Sequence, residues 1–323
     1  MKQTMLKMAA VAMLALPAAH AADHAGSYAV QQKWTLDGAG RWDYLEVDSS
    51  QQRLFVTRDE RVQVLDLASG KVAGEIPGLK RAHGVAFAPA LGLGFASSGA
   101  GDSVVVFELD SLKVKREVKV AGKNPDAILF HPASGKLYVF NGKSANVTVF
   151  DAATMQQLAS IAVNGKPEFA VADDKRIYVN IEDKNAIAVI DVASDSVVAN
   201  WGLAGCDEPT GLAFDATHQR LFSVCGNGVL AVTDAASGKA VARRAIGKGA
   251  DAAVYDAQRQ LVFSSNGEGT LTVIHQTDAD HYGVPVTLPT LKGARTMAMD
   301  HASGRIYLPV LAEQRFSMVV VAP

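Results

Sequence analysis

The sequence predicts an all-β chain folded as a seven-bladed β-propeller, its last blade closed by an N-terminal strand. Three observations predict it. Residues 124–166 divide into four short apolar or alternating strands, AILF, KLYVF, NVTVFD and QLASIAV, separated by turn clusters HPASG, NGKSA and DAATM. Four strands in about 43 residues is the length of one propeller blade. The third of these strands recurs along the chain and usually ends in an acid. VQVLD ends at Asp66, VVVFE at Glu108, VTVFD at Asp151, IAVID at Asp191, LAVTD at Asp234 and LTVIH at His275, spaced 42, 43, 40, 43 and 41 residues apart. Finally, no stretch keeps a 3.6-residue apolar period for the ~10–12 residues a helix needs.

The chain opens with Lys2 and Lys7 before an apolar Met8–Leu16 run and the small-residue site Ala19-His20-Ala21. This is the pattern of a secretory signal peptide, residues 1–21, cleaved near Ala21. Residues 22–323 then form a single propeller domain, exported to a periplasm or secreted. No later run reaches the ~18–20 apolar residues of a membrane-spanning helix.

First strands follow at YLEVD, GVAFAP, AILFHP, FAVAD, GLAFD, AAVYD and TMAMD, which makes seven. Second strands begin at Arg53, Leu93, Lys136, Arg176, Arg220, Leu261 and Arg305, with β-branched and aromatic residues suited to packed faces. Turns such as Ser134-Gly135-Lys136 and Ser237-Gly238-Lys239 supply the positive φ that tight connections need. The last unit, FSMVVVAP, runs out at Pro323 after its third strand. The missing fourth strand is SYAVQQKWTLDG, residues 27–38, which would complete the last blade and remove a free sheet edge.

The steady period, RIYVN at Arg176–Asn180 and the VxVxD third strands resemble the YVTN-type β-propeller family, in particular its YncE-like periplasmic branch. Phrases such as NPDAILF, KPEFAVAD, YVNIEDKNAIAVID and CDEPTGLAFD carry the resemblance over essentially the whole mature chain. It implies a non-catalytic binding or interaction protein of the cell envelope, with single-stranded DNA binding in one branch of the wider family. DNA binding needs a basic groove with stacking aromatics. Here aromatics are 7% of residues, and loss of two lysines with the leader moves the formal charge from −2 to −4. Nucleic acid is therefore not the expected partner; a small ligand or an envelope protein is, with the chain a monomer.

Aligned first strands place one residue each at the mouth of the central channel: Asp43, His83, Asp126, Glu168, Thr210, Asp251 and Arg295. All seven are polar in a chain that is 49% hydrophobic. Second-strand ends add Asn141, Asn180, Cys225 and Asn266 to the same face. A polar, solvated structural channel accounts for such residues; so does a ligand site, which is the preferred expectation. Arg295 either clamps a substrate carboxylate or neutralises Asp43 and Asp251, the second being favoured. Oxygen donors from Glu168, Asn180, Asp251 and Asn266 would suit a Ca²⁺-like divalent cation. With His83 as base, that cation would support the alternative function, a metal-dependent lactonase-type hydrolase. His131, His218 and His301 fall at turns of the opposite face and are expected at the surface.

Cys206 and Cys225 flank the fifth unit at the same face, and an even cysteine count in an oxidising compartment favours a disulfide over a soft-metal site. No C-x-x-C-H, G-x-S-x-G, H-E-x-x-H or P-loop pattern occurs.

Overall fold

Second and third strands of every unit are apolar at consecutive positions, and the period-2 geometry of a strand sends those positions to opposite faces. In Arg53–Arg58, Leu54 and Val56 pack into one cluster of buried side chains, while Phe55 packs into another. A sheet apolar on both faces must be covered twice. The computed structural model, which describes residues 26–38 and 40–323, shows how: seven four-stranded antiparallel sheets stand around an axis, each covered by two neighbours. Seven buried clusters result, one per junction, built around residues such as Phe107, Phe140, Tyr178, Phe222, Phe263 and Phe316. The predicted signal peptide lies outside the described residues.

Each blade runs outward in chain order. Blade 3 is typical: Pro125–His131 next to the axis, then Lys136–Asn141, Asn146–Asp151 and the solvent-facing Gln157–Ala162. Among the described residues the helical elements are short 3₁₀ turns, such as Glu182–Lys184. The seventh blade consists of Ala298–Asp300, Arg305–Ala312 and Arg315–Ala322 plus the N-terminal Ala29–Leu36, which pairs antiparallel from Ala29↔Ala322 to Leu36↔Phe316. The N-terminal strand closes the ring, as the sequence predicts.

The acid that ends the third strands has a local purpose. Asp151 Oδ1 accepts from the Thr154 backbone N–H and hydroxyl, and Asp66, Asp191 and Asp234 do the same with Ser69, Ser194 and Ser237. These side chains tie the turn into the fourth strand. His131, expected at the surface, is buried at 3% exposure: its ring nitrogens meet Ser134 Oγ and the Asp173 carbonyl of the next blade. Its turn is pressed against a neighbour, which a single-unit register does not reveal. His218 behaves closer to expectation, half-buried against Asp215.

Cys206 and Cys225 form the predicted disulfide, with Cα atoms 5.4 Å apart and both side chains fully buried. Closing a loop of 19 residues removes chain entropy worth about 3 kcal/mol from the unfolded state. A Cys206→Ala/Cys225→Ala double variant should therefore keep the β-sheet circular-dichroism signal but lose about 3 kcal/mol in guanidinium unfolding. An unchanged midpoint, or two reactive thiols in denatured, unreduced protein, would count against the bridge.

Candidate functional site

In five blades the pairing of first and second strands breaks at the same place, between Ala82 and Val85, Pro125 and Ile128, Pro167 and Ala170, Pro209 and Leu212, and Ala250 and Ala252. The break lies at the residues predicted for the channel mouth. Such irregularities free a residue from the ladder and re-aim its side chain. Backbone carbonyls at the mouth are taken up by side chains of the preceding blade around the ring. Ser97 Oγ donates to the Asp126 carbonyl, Asn180 Nδ2 to those of Thr210 and Gly211, Thr210 Oγ1 to that of Ala250, Ser265 Oγ to that of Arg295, and Thr296 Oγ1 to that of Asp43. The strands approach so closely that a Cβ on Gly211 would stand 2.6 Å from Ala252 backbone atoms, so only glycine fits there.

The mouth gathers the charged residues into connected groups. His83 Nδ1 lies 2.5 Å from Asp43 Oδ2 and 3.5 Å from Asp126 Oδ1. Arg295 pairs with Asp251, so of its two expected roles the neutralising one is observed. Lys166 Nζ lies 2.7 Å from Glu168 Oε1 and also pairs with Glu182. Tyr44, from blade 1, crosses the axis to donate its hydroxyl to Glu168 Oε2 of blade 4 at 3.3 Å, and its ring packs on Phe169 at 5.3 Å. This strut divides the axis. Above it lies a cavity of about 280 Å³ lined by Arg41, Trp42, Asp43, Asp59, Arg81, Ala82, His83 and Arg295; a second, of about 460 Å³, lies below it.

Several predicted site residues do not reach this cavity. Asn141 Nδ2 bonds Thr148 within its own blade, and Asn266 holds Thr270, Thr272 and Ser264 in its own. Asn180 is out of register with them by one residue. Pro167 pairs with Ile181 where Pro125 pairs with Asn141, so Asn180 faces the neighbouring blade instead. Its Oδ1 accepts from Ser223, and Thr210 is likewise a clip between blades. The cation set Glu168, Asn180, Asp251 and Asn266 is therefore not assembled, because both amide oxygens serve serine hydroxyls. Among the His, Cys, Asp and Glu side chains of the described residues, Asp43, His83 and Asp126 bring their donor atoms within 4.8 Å of one another.

Burial raises the carboxyl pKa of Asp126, and the adjacent Asp43 charge adds to the rise although His83 opposes it. Burial likewise raises Glu168, with Asp126 adding to it and Lys166 opposing. Asp251 is pushed up to about 6 by burial despite Arg295. Burial works against a charged His83, yet the hydrogen bond with Asp43 and the field of Asp126 outweigh it and raise the imidazole pKa. His83 Nε2 is buried without a hydrogen-bond partner and faces Gly99, where a Cβ would stand 2.6 Å from it.

Tyr44, Lys166, Arg41 and Arg81 were not singled out by the sequence pattern. Lys166 stands two residues before Glu168 in a loop, and Tyr44 is one position past the mouth register. Arg41 and Arg81 are exposed and form no ion pair among the described residues.

No protein-family model matches the chain, and no curated protein matches it by sequence. Among solved structures it is similar to U3-55K, with a TM-score of 0.79 at 10% identity over 90% of this chain and 98% of that one. It is also similar to hydrazine synthase of Kuenenia stuttgartiensis (TM-score 0.73, 17% identity, 88% of this chain and 96% of that one). The WD40 repeats of RRP9 give a TM-score of 0.78 at 10% identity, over 90% and 97%. At such identities the likeness shows the propeller fold alone.

Asp126, Glu168 and Asp251 hold their protons more tightly folded than in the unfolded chain, where carboxyls titrate near about 4. His83 acts in the same direction: its contribution is complete below the unfolded value of about 6.5 and disappears as pH rises through its raised folded value. Unfolding then releases protons, so stability should fall as pH rises from about 5 through the Asp251 value of about 6 and beyond. Asp102 and Asp234, whose pKa values are lowered, weaken the fold only as pH drops into the acid range. Denaturant titrations across pH 5–8 should show this decline, and Glu168→Gln should flatten it. A wild-type profile that rises toward pH 8 would contradict the buried-acid account.

Proposed function

We propose that this chain is an exported, periplasmic binding propeller of the YVTN-type, YncE-like kind, and that it holds a small anionic ligand at the channel mouth. The observation that supports the reading is the 280 Å³ cavity with the unpaired guanidiniums of Arg41 and Arg81 in its walls and the buried Asp43–His83 pair in its floor. Guanidinium forks recognise carboxylate and phosphate oxygens in two-point fashion. Asp43 and Asp126 raise the His83 imidazole pKa against its burial, so the ring offsets part of their negative charge, and Asp43 and Asp59 can accept a hydroxyl or amino group on the same ligand. The four mouth acids are themselves paired: Asp43 and Asp126 with His83, Glu168 with Lys166 and Asp251 with Arg295.

Succinate and inorganic phosphate are suitable probes, since both fit the volume and carry the expected charge. Isothermal titration should detect binding of at least one, weakened about tenfold or more in Arg81→Ala and in Arg41→Ala. Affinity unchanged from wild type in both variants, or no heat from either probe up to about 10 mM, would remove this reading.

A second reading rests on the close approach of Asp43, His83 and Asp126. Two carboxylates and an imidazole nitrogen suit a divalent cation, and with a bound water they would supply the lactonase-type hydrolase chemistry. His83 must first lose its proton, and its raised pKa opposes this. Any rise in melting temperature with Ca²⁺, Mn²⁺ or Zn²⁺ should therefore grow between pH 6.5 and 8.5 and vanish in Asp126→Asn. Melting curves identical with EDTA and with each metal at the higher pH would exclude both the cation and the hydrolase.

A further inference from the structure

The larger cavity of the molecule lies below the Tyr44 strut, and its chemistry is unlike the mouth's. Three residues past the mouth positions, the first strands contribute Glu46, Leu129, Val171, Ala213, Val254 and Ala298 to its wall. Five of these are aliphatic. The sixth is a carboxylate that makes no hydrogen bond or ion pair among the described residues. Aromatic rings of Tyr44, Phe169, Phe214 and Tyr255 complete the wall, and Ser49 and His301 stand at the far rim. The other titratable groups that face the space are accounted for: the Tyr44 hydroxyl is committed to Glu168, Tyr255 interacts with Asp215, and His301 is exposed at the rim.

We propose that this lower channel is a second binding site, for a small apolar amine, with the ligand's ammonium on the Glu46 carboxylate and its hydrocarbon against the aliphatic ring. A cavity of about 460 Å³ falls within the range of small-molecule sites, which combine an apolar wall with very few polar groups. Charge selects the ligand. A lone carboxylate inside an apolar wall has no protein cation to compensate it, and a neutral guest would leave it uncompensated. An ammonium both pairs with it and gains from aromatic faces such as those of Phe169 and Phe214. An anionic guest would be repelled, which separates this site from the mouth.

Burial alone pushes the Glu46 carboxyl up to about 7. Binding an ammonium requires the ionised form, so affinity should rise as pH passes upward through that value while the amine, titrating far higher, stays charged.

Phenethylamine and its neutral isostere 2-phenylethanol test the proposal by isothermal titration at pH 6, 7 and 8. The amine should bind wild-type protein about tenfold or more tightly than the alcohol at pH 8, and its advantage should shrink at pH 6. Glu46→Gln should abolish the preference for the amine, and Val254→Phe, which fills the channel with a larger side chain, should abolish binding of both compounds. The wild-type pH profile decides the matter even if a variant fails to fold. The proposal is overturned if the alcohol binds wild type as tightly as the amine, if Glu46→Gln keeps the preference, or if neither compound binds at about 10 mM.

Discussion

Every blade of this protein is apolar on both faces, and no blade can satisfy that condition alone. The seven buried clusters each draw on two neighbouring sheets, so covering one face always exposes the need for another blade. A linear stack would end in two uncovered faces and would need polar caps. A ring ends nowhere. The N-terminal strand Ala29–Leu36 on Arg315–Ala322 makes the ring permanent, because it ties both ends of the chain into a single sheet. The axial sites are consequences of this closure: seven first strands face one axis only because all seven junctions are filled.

The same closure explains how a dense group of acids tolerates burial. Ionised carboxylates in a low-dielectric interior are costly unless paired and hydrogen-bonded. Here the cost is divided. His83 serves Asp43 and Asp126, Arg295 serves Asp251, and Lys166 with the Tyr44 hydroxyl serves Glu168. His83, Arg295 and Tyr44 reach acids of other blades, so these pairings also fix one blade relative to another, whereas Lys166 serves Glu168 from the loop just before it. The raised carboxyl values of Asp126 and Glu168 record what remains uncompensated.

The architecture was legible in the sequence because it repeats. Six third-strand copies set the period, and a spare strand at the start matched a missing one at the end. The mouth register was equally legible, since Asp43, His83, Asp126, Glu168, Asp251 and Arg295 do converge. What failed to show were relations between blades. Asn180 slipped by one because RIYVN ends its strand at Ile181, not at the asparagine, and one residue turns a strand side chain to the other face. His131 looked like a turn residue until the next blade covered it. Tyr44 opens the first strand YLEVD, and nothing local announces that its hydroxyl crosses the axis to a carboxylate 124 residues away. Arg41 and Arg81 lie in loops outside the repeat, where period-based alignment has nothing to compare.

A ring built from repeats also limits where function can sit. Seven equivalent positions carrying equivalent side chains present the same chemistry in every direction, and such symmetry cannot orient a small, asymmetric molecule. Recognition must come from positions where the blades differ. At the mouth level the seven positions carry five residue types: three aspartates, a glutamate, a histidine, a threonine and an arginine. Three residues further along, the level is uniform and aliphatic except at Glu46. Both departures lie on the axis, and the Tyr44–Glu168 strut stands between them. Since the strut is itself a product of unlike residues at opposite blades, it keeps the two chemistries apart, charge-rich above and apolar with one acid below. A single channel thereby holds two cavities of unlike chemistry, and the repeat that specifies the fold is interrupted on the axis in both.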